Sequence, residues 1–166
     1  MGAIVEEYLE WNTPVVGAYL FWRFAKAYAT CSSKRANPPF PLFCIVAVLL
    51  QGRAYYEAIG KVKSLNEYAA RLADTHKGDK LEHLHDRIVP MLPFTLRALD
   101  IAVARGLLKW NEDCFTLKPV MIRKFKPGTG NLSCSVRLLG DKAKMLGHWM
   151  SGMTPSEISF NLRIRF

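Results

Sequence analysis

The 166-residue sequence is poor in the short motifs that mark an enzyme. It holds no glycine-rich loop followed by Lys-Ser or Lys-Thr, which excludes a P-loop nucleotide site. It holds no Gly-x-Ser-x-Gly and no His-Glu-x-x-His, which excludes the hydrolase and zinc-peptidase chemistries built on them. Cysteine is scarce and never arranged as Cys-x-x-Cys: Cys31, Cys44, Cys114 and Cys134 lie 13, 70 and 20 residues apart. That spacing reads as free thiols in a reducing compartment. Long apolar runs are also missing. The run 14–22 is broken by Arg23 and Lys26, and the run 41–50 ends at Gln51 and Arg53. A membrane span needs about 20 such residues. The start, Met1-Gly2-Ala3-Ile4-Val5-Glu6-Glu7, has no basic segment leading an apolar one, so no signal peptide is expected. Glu6 stands where an N-myristoylation signal needs Ser or Thr. The expectation is a cytoplasmic protein with no membrane partner.

No internal repeat occurs, which excludes collagen-like and coiled-coil classes. Half of the chain is apolar and 22% is charged, which disfavours disorder. A chain of this length buries roughly 70% of the surface its unfolded form exposes, so it needs no disulfide or metal to build a core. One domain over residues 1–166 is expected. Acidic residues are short in one region. Residues 118–166 carry nine Lys/Arg against two Asp/Glu, whereas residues 1–117 carry 14 against 12. Most of the +9 charge therefore lies in the last 49 residues. A local excess of this kind suits a polyanion, an acidic protein surface or anionic lipid. Aromatic residues lean the other way, with 11 of 19 before residue 57. Three sub-regions follow: an apolar helical hairpin over 1–56, helices plus a wing-like hairpin over 57–117, and a basic helical tail section over 118–166.

The pattern predicts a short helix Ile4–Leu9. Asn12-Thr13-Pro14 then caps a helix from Pro14 to about Ala29 that is apolar nearly all round. Pro41–Gln51 is a second apolar helix, paired with the first. Ser64-Leu65-Asn66-Glu67 is a capping box, opening a helix that buries Leu65, Tyr68, Ala69 and Leu72. Leu81–Val89 reads as a helix stopped by Pro90. Pro93 opens Pro93–Arg105, with Leu96, Leu99 and Val103 as its core stripe and Gly106 at its end. Leu107–Trp110 and Cys114–Leu117 read as two strands of a hairpin. After the loop 127–131, Ser133 or Ser135 starts a helix to about Met150, with Val136, Leu139, Ala143, Leu146 and Met150 inward. Thr154-Pro155-Ser156-Glu157 is a second capping box. The fold class expected is mainly α with a small β-hairpin: a helical N-terminal part followed by a winged-helix-like unit.

Chemistry is thin along this frame. His83 and His85 are two residues apart, so on a helix they diverge by about 200° and cannot share a metal. Glu82 and Asp86 have Lys80 and Arg87 beside them and read as a solvated face. No catalytic residue, metal or cofactor is expected. The basic stretch carries Lys118, Arg123, Lys124 and Lys126, with Arg137 on the following helix. Three readings stand open: a solvated loop, contact with the DNA backbone, and contact with an acidic protein. The aromatic first helix, with Val15, Tyr19, Trp22 and Phe24, reads as core, as a permanent partner interface, or as both. A stand-alone winged-helix DNA-binding regulator is the alternative function. The segment Pro93–Arg105 offers it only Thr95, Arg97, Asp100 and Arg105 as groove-facing polar residues.

The order of several segments resembles the middle component of three-component ABC systems. The stretch from Asn12-Thr13-Pro14 through Phe21-Trp22-Arg23-Phe24 to Lys26-Ala27-Tyr28 is similar to that family's opening helix. Pro39-Phe40-Pro41-Leu42-Phe43 resembles its proline-led apolar helix. Pro90-Met91-Leu92-Pro93-Phe94 followed by Gly106-Leu107-Leu108 resembles its helix-then-hairpin segment. Leu146-Gly147-His148-Trp149 resembles its late Leu-Gly-x-Trp helix, and Leu162-Arg163-Ile164-Arg165 its end. The resemblance implies a non-catalytic adaptor in bacterial defence, with Lamassu-type anti-phage and anti-plasmid systems as the best-known example. It implies as partners an SMC/Rad50-like ABC ATPase, an effector nuclease, and double-stranded DNA held by the complex. It places Trp149 with the first-helix residues in the partner interface.

Overall fold

Helix α1, Pro14–Cys31, begins where the sequence places a cap and a preset φ. The Thr13 hydroxyl accepts a hydrogen bond from the Val16 N–H at 3.4 Å, and Pro14 occupies the first helical turn. In this computed structural model the described residues are 13–34, 36–74, 78–121 and 133–165. The expected helix Ile4–Leu9 and the loop 127–131 lie outside them. Helix α2, Phe40–Gln51, is buried at every residue from Leu42 to Leu50. It bends by 99° at Gly52 into α3, Arg53–Ile59. Among the described residues, no single helix is long and apolar enough to cross a membrane.

Helix α4, Leu65–Leu72, buries the four expected residues, Leu65, Tyr68, Ala69 and Leu72. Its cap differs in one half from the expected box. Ser64 Oγ accepts from the Glu67 N–H, but the Glu67 carboxylate accepts from the Lys63 N–H, one residue upstream of the cap. Residues 81–84 form turns and His85–Arg87 a 3₁₀ turn, so the expected helix 81–89 is absent. They lead straight into α5, Ile88–Ala104. Pro90 does not stop this helix and Pro93 does not open it. Pro90 is the third helical residue, where an N–H has no intrahelical acceptor to lose. Pro93 lies inside the helix and leaves the Val89 carbonyl without its partner. Val89 is exposed, within reach of water.

The core stripe of α5 is also rotated from expectation. Leu99 is buried as expected, but Leu96 is 50% and Val103 39% exposed. Thr95, Ala98 and Ala102 are fully buried in their place. The cause is close approach to α1. A Cβ on Gly17 would lie 2.9 Å from both the Ala98 Cβ and the Phe94 Cζ. Ala98 faces Gly17 with the Phe94 ring beside it, and Leu96 and Val103 lie on the outer side of the helix.

Gly106 ends α5 with φ +70°. Its N–H donates to the Val103 carbonyl at 3.0 Å, and the Leu107 N–H to the Ala102 carbonyl at 2.8 Å. This pair of bonds is the Schellman closure that favours glycine. Among the described residues, nothing lies within 4 Å of where a Cβ on Gly106 would be. Gly106→Ala is therefore expected to destabilise by about 1 kcal/mol through backbone strain alone, read as a lowered urea midpoint with unchanged slope.

The hairpin follows later than expected, by one residue in β1, Leu108–Asn111, and by two in β2, Thr116–Pro119, paired antiparallel with Leu108 opposite Pro119. Its turn contains Phe115 at φ +50°. The hairpin leans on the chain just before α2. The Phe40 N–H donates to the Phe115 carbonyl at 3.0 Å, and the Leu117 N–H to the Pro38 carbonyl at 3.1 Å. The helix-then-hairpin order is present.

Helix α6, Cys134–Ser151, is capped by Ser133, and α7, Pro155–Asn161, by a complete capping box at Thr154 and Glu157. All five expected inward residues of α6 are buried. The described chain is thus mainly helical, with seven α-helices and one two-stranded antiparallel sheet. One continuous core runs from Ala18 to Ile164. Helix α1 is its axis. Its main neighbours are α6 and α5; it does not form a simple hairpin with α2. It meets α2 chiefly through Phe43, which takes edge-on contacts from Phe21 and Phe24, each at 5.4 Å.

Candidate functional site

Two helices from opposite ends of the sequence build a groove. Helices α1 and α6 run in the same direction. Tyr19 meets Gly140, Arg23 meets Asp141, Phe24 and Ala27 meet Gly147, and Cys31 meets His148. Two glycines seven residues apart on α6 let the backbones approach. A Cβ on Gly147 would lie 2.4 Å from the Phe24 carbonyl oxygen and 3.0 Å from the Tyr28 nitrogen. Where the helices diverge toward the surface, a groove of about 730 Å³ opens between them and the turn before α4.

Its floor is apolar: Ala27, Val62, Met145 and Trp149. Its rim is basic, with Arg23 and Lys26 from α1, Lys63 from the turn and Lys144 from α6. Among the described residues, Asp141 is the single carboxylate in the lining, and the Arg23 guanidinium binds it at 2.9 Å. The Lys26 ammonium lies over the Trp22 ring, 5.0 Å from its centre. At one end, His148 Nδ1 is 3.1 Å from Cys31 Sγ. The floor is firm. Tyr68 packs 5.9 Å behind Trp149, and its hydroxyl donates to the Tyr55 carbonyl at 3.0 Å. Burial raises the Tyr68 phenol above its ordinary pKa, so it stays a neutral donor. Lys142 is outside the groove. Its ammonium donates to the Tyr56 carbonyl at 2.6 Å. Burial lowers its pKa from the usual lysine value, and the Glu57 charge works against that.

The residues expected at a partner interface separate into two groups. Trp149 lines the groove, Tyr19 is half-buried beside Gly140, and Val15 is 64% exposed at the start of α1. Trp22 and Phe24 are instead enclosed by the chain itself, at 3% and 0% exposure. The Trp22 indole N–H donates to the Val120 carbonyl at 3.1 Å and so ties the exit of the hairpin to α1. Of the expected nucleic-acid residues, Lys118 is exposed on β2 and Arg137 is exposed on α6. Arg123, Lys124 and Lys126 lie outside the described residues. Lys118 stands opposite Lys109 across the hairpin, a like-charge pair that sequence reasoning missed. Thr95, one of the four polar residues offered to a recognition helix, is fully buried and donates to the Met91 carbonyl at 3.0 Å. It cannot face a DNA groove.

The sequence matches the family model of the ABC-three component (ABC-3C) system Middle Component 3 across residues 1–166. The chain belongs to this family. No curated protein and no solved structure matches it. For this middle component, the basic groove was missed by sequence reading. Lys26 and Thr30 on one helix, and Lys144 and His148 on the other, are each four apart and so share a face. The signal that these two faces meet was not in either helix.

Proposed function

We propose that the chain is the non-catalytic adaptor of a bacterial anti-phage or anti-plasmid defence complex of the Lamassu kind. In this reading it joins an SMC/Rad50-like ABC ATPase to an effector nuclease. The observation that carries the reading is family membership over the whole length, since middle components of these systems are regulatory or adaptor subunits. The surface supports it. Val89, Leu96 and Val103 are exposed at seven-residue intervals along one face of α5, and Trp110 and Phe115 are exposed on the hairpin. Apolar surface of this kind is a usual mark of protein contact. The Lys109–Lys118 pair, with Arg123, Lys124 and Lys126 close in sequence, is the part of the chain that would touch DNA held by the complex.

Co-expression with the neighbouring ATPase and effector genes tests the adaptor role. Pull-down of this chain is expected to retain both; retention of neither would overturn it. Replacing Arg123, Lys124 and Lys126 together by Glu is expected to weaken DNA association of the assembled complex and make it less dependent on salt, while assembly survives. Loss of assembly in that variant would make the basic stretch a protein contact.

A further inference from the structure

We infer that the groove between α1 and α6 is the docking site for an acidic, amphipathic segment of a partner subunit. The inference rests on the adaptor reading and gives that reading a surface. Charge complementarity selects the occupant. Among the described residues, four Lys/Arg side chains rim the groove against one carboxylate, and Arg23 already binds that carboxylate. No ion pair is made by Lys26, Lys63 or Lys144 among the described residues. Their charge is left for a partner.

The floor decides between kinds of anion. A phosphate backbone needs cations and polar donors, and it brings nothing apolar to bury. Here the cations surround an apolar trough of Ala27, Val62, Met145 and Trp149. An amphipathic helix meets both conditions, with apolar anchors inward and carboxylates along its edges. The dimensions agree. From Arg23 to Cys31 the groove follows α1 for about 12 Å, roughly two turns of a docked helix.

Cys31 provides the test, because it lines the groove and is exposed, whereas Cys114 and Cys134 are exposed elsewhere and Cys44 is buried. The purified chain and the assembled three-component complex are treated with iodoacetamide, and labelling is read at each cysteine by mass spectrometry. Cys31 is expected to label at least tenfold more slowly in the complex. The paired change Lys26→Glu and Lys144→Glu is expected to restore the free-chain rate and to weaken association at least tenfold. Lys63→Glu, on the turn, is expected to act in the same direction without altering either helix. Assembly with Cys31 labelling at the free-chain rate would overturn the inference and leave the adaptor role standing. Protection of Cys31 in the isolated chain by a DNA duplex alone would overturn it in favour of nucleic acid. Failure of the three chains to assemble would overturn both.

Discussion

Gly147→Val is expected to cost this chain about 3 kcal/mol or more of folding stability, the upper end of what overpacking a core does. The contact that dictates it is backbone against side chain. Even the first carbon of the new side chain would lie 2.4 Å from the Phe24 carbonyl oxygen and 2.9 Å from the Ala27 Cβ. Neither atom can swing away, since both belong to the middle of α1. The helices must separate, which strips Leu146, Ala143 and Phe24 of their neighbours. For a domain of this size the loss is an expected fall in Tm of roughly 6–12 °C. An unchanged melting curve would mean that α1 and α6 do not meet at Gly147. The same separation would distort the groove above it, so the Leu-Gly-x-Trp segment has a physical reason for its glycine. Any side chain there would meet the α1 backbone at Phe24 and Tyr28.

Phe24→Ala is expected to destabilise the isolated chain by about 3–5 kcal/mol, the range for emptying a buried aromatic site. Phe24 is fully buried, edge-on to Phe43 at 5.4 Å and tilted against Tyr28 at 6.0 Å. Urea denaturation of the chain alone measures the effect. The experiment separates two roles that look the same in sequence. A residue used only to bind a partner leaves the free chain's stability unchanged when truncated, whereas a core residue does not. Val15→Ala supplies the contrast, since Val15 is exposed and should change stability by under about 0.5 kcal/mol.

Much of the fold was legible because its causes are local. Thr13 before Pro14, Ser64 before Leu65 and Thr154 before Pro155 mark helix starts through hydrogen bonds that span three residues. Gly106 marks an end through its φ. The 3-and-4 spacing of Val136, Leu139, Ala143, Leu146 and Met150 named the inner face of α6 correctly. The misreadings were of a different kind. Pro90 and Pro93 read as a stop and a start, yet both are accommodated within α5. The face of α5 was misjudged because the side turned to α1 is set by how the two helices meet, with Phe94 and Ala98 against Gly17, and not by hydrophobicity along α5 alone. Leu96 is more apolar than Thr95, but Thr95 is the buried one, with its hydroxyl satisfied on the Met91 carbonyl.

The candidate site was less legible. The sequence drew the eye to the densest run of charge, Lys118 to Lys126, and to the densest run of aromatics on α1. The groove uses neither run as such. It takes Lys26 and Cys31 from the end of α1, Lys63 from a turn, and Lys144, His148 and Trp149 from a helix over 110 residues later. The +9 charge is thus divided again: part of it surrounds an apolar trough built by both halves of the chain.

By itself the sequence determined the helical class, most caps and ends, the two-stranded hairpin and the family resemblance, because each rests on contacts within a few residues or on order along the chain. Only the tertiary structure decided which apolar face is core and which cations share a cleft. Those depend on how closely two helices can approach, and that distance was set by glycines and alanines that carry almost no signal of their own.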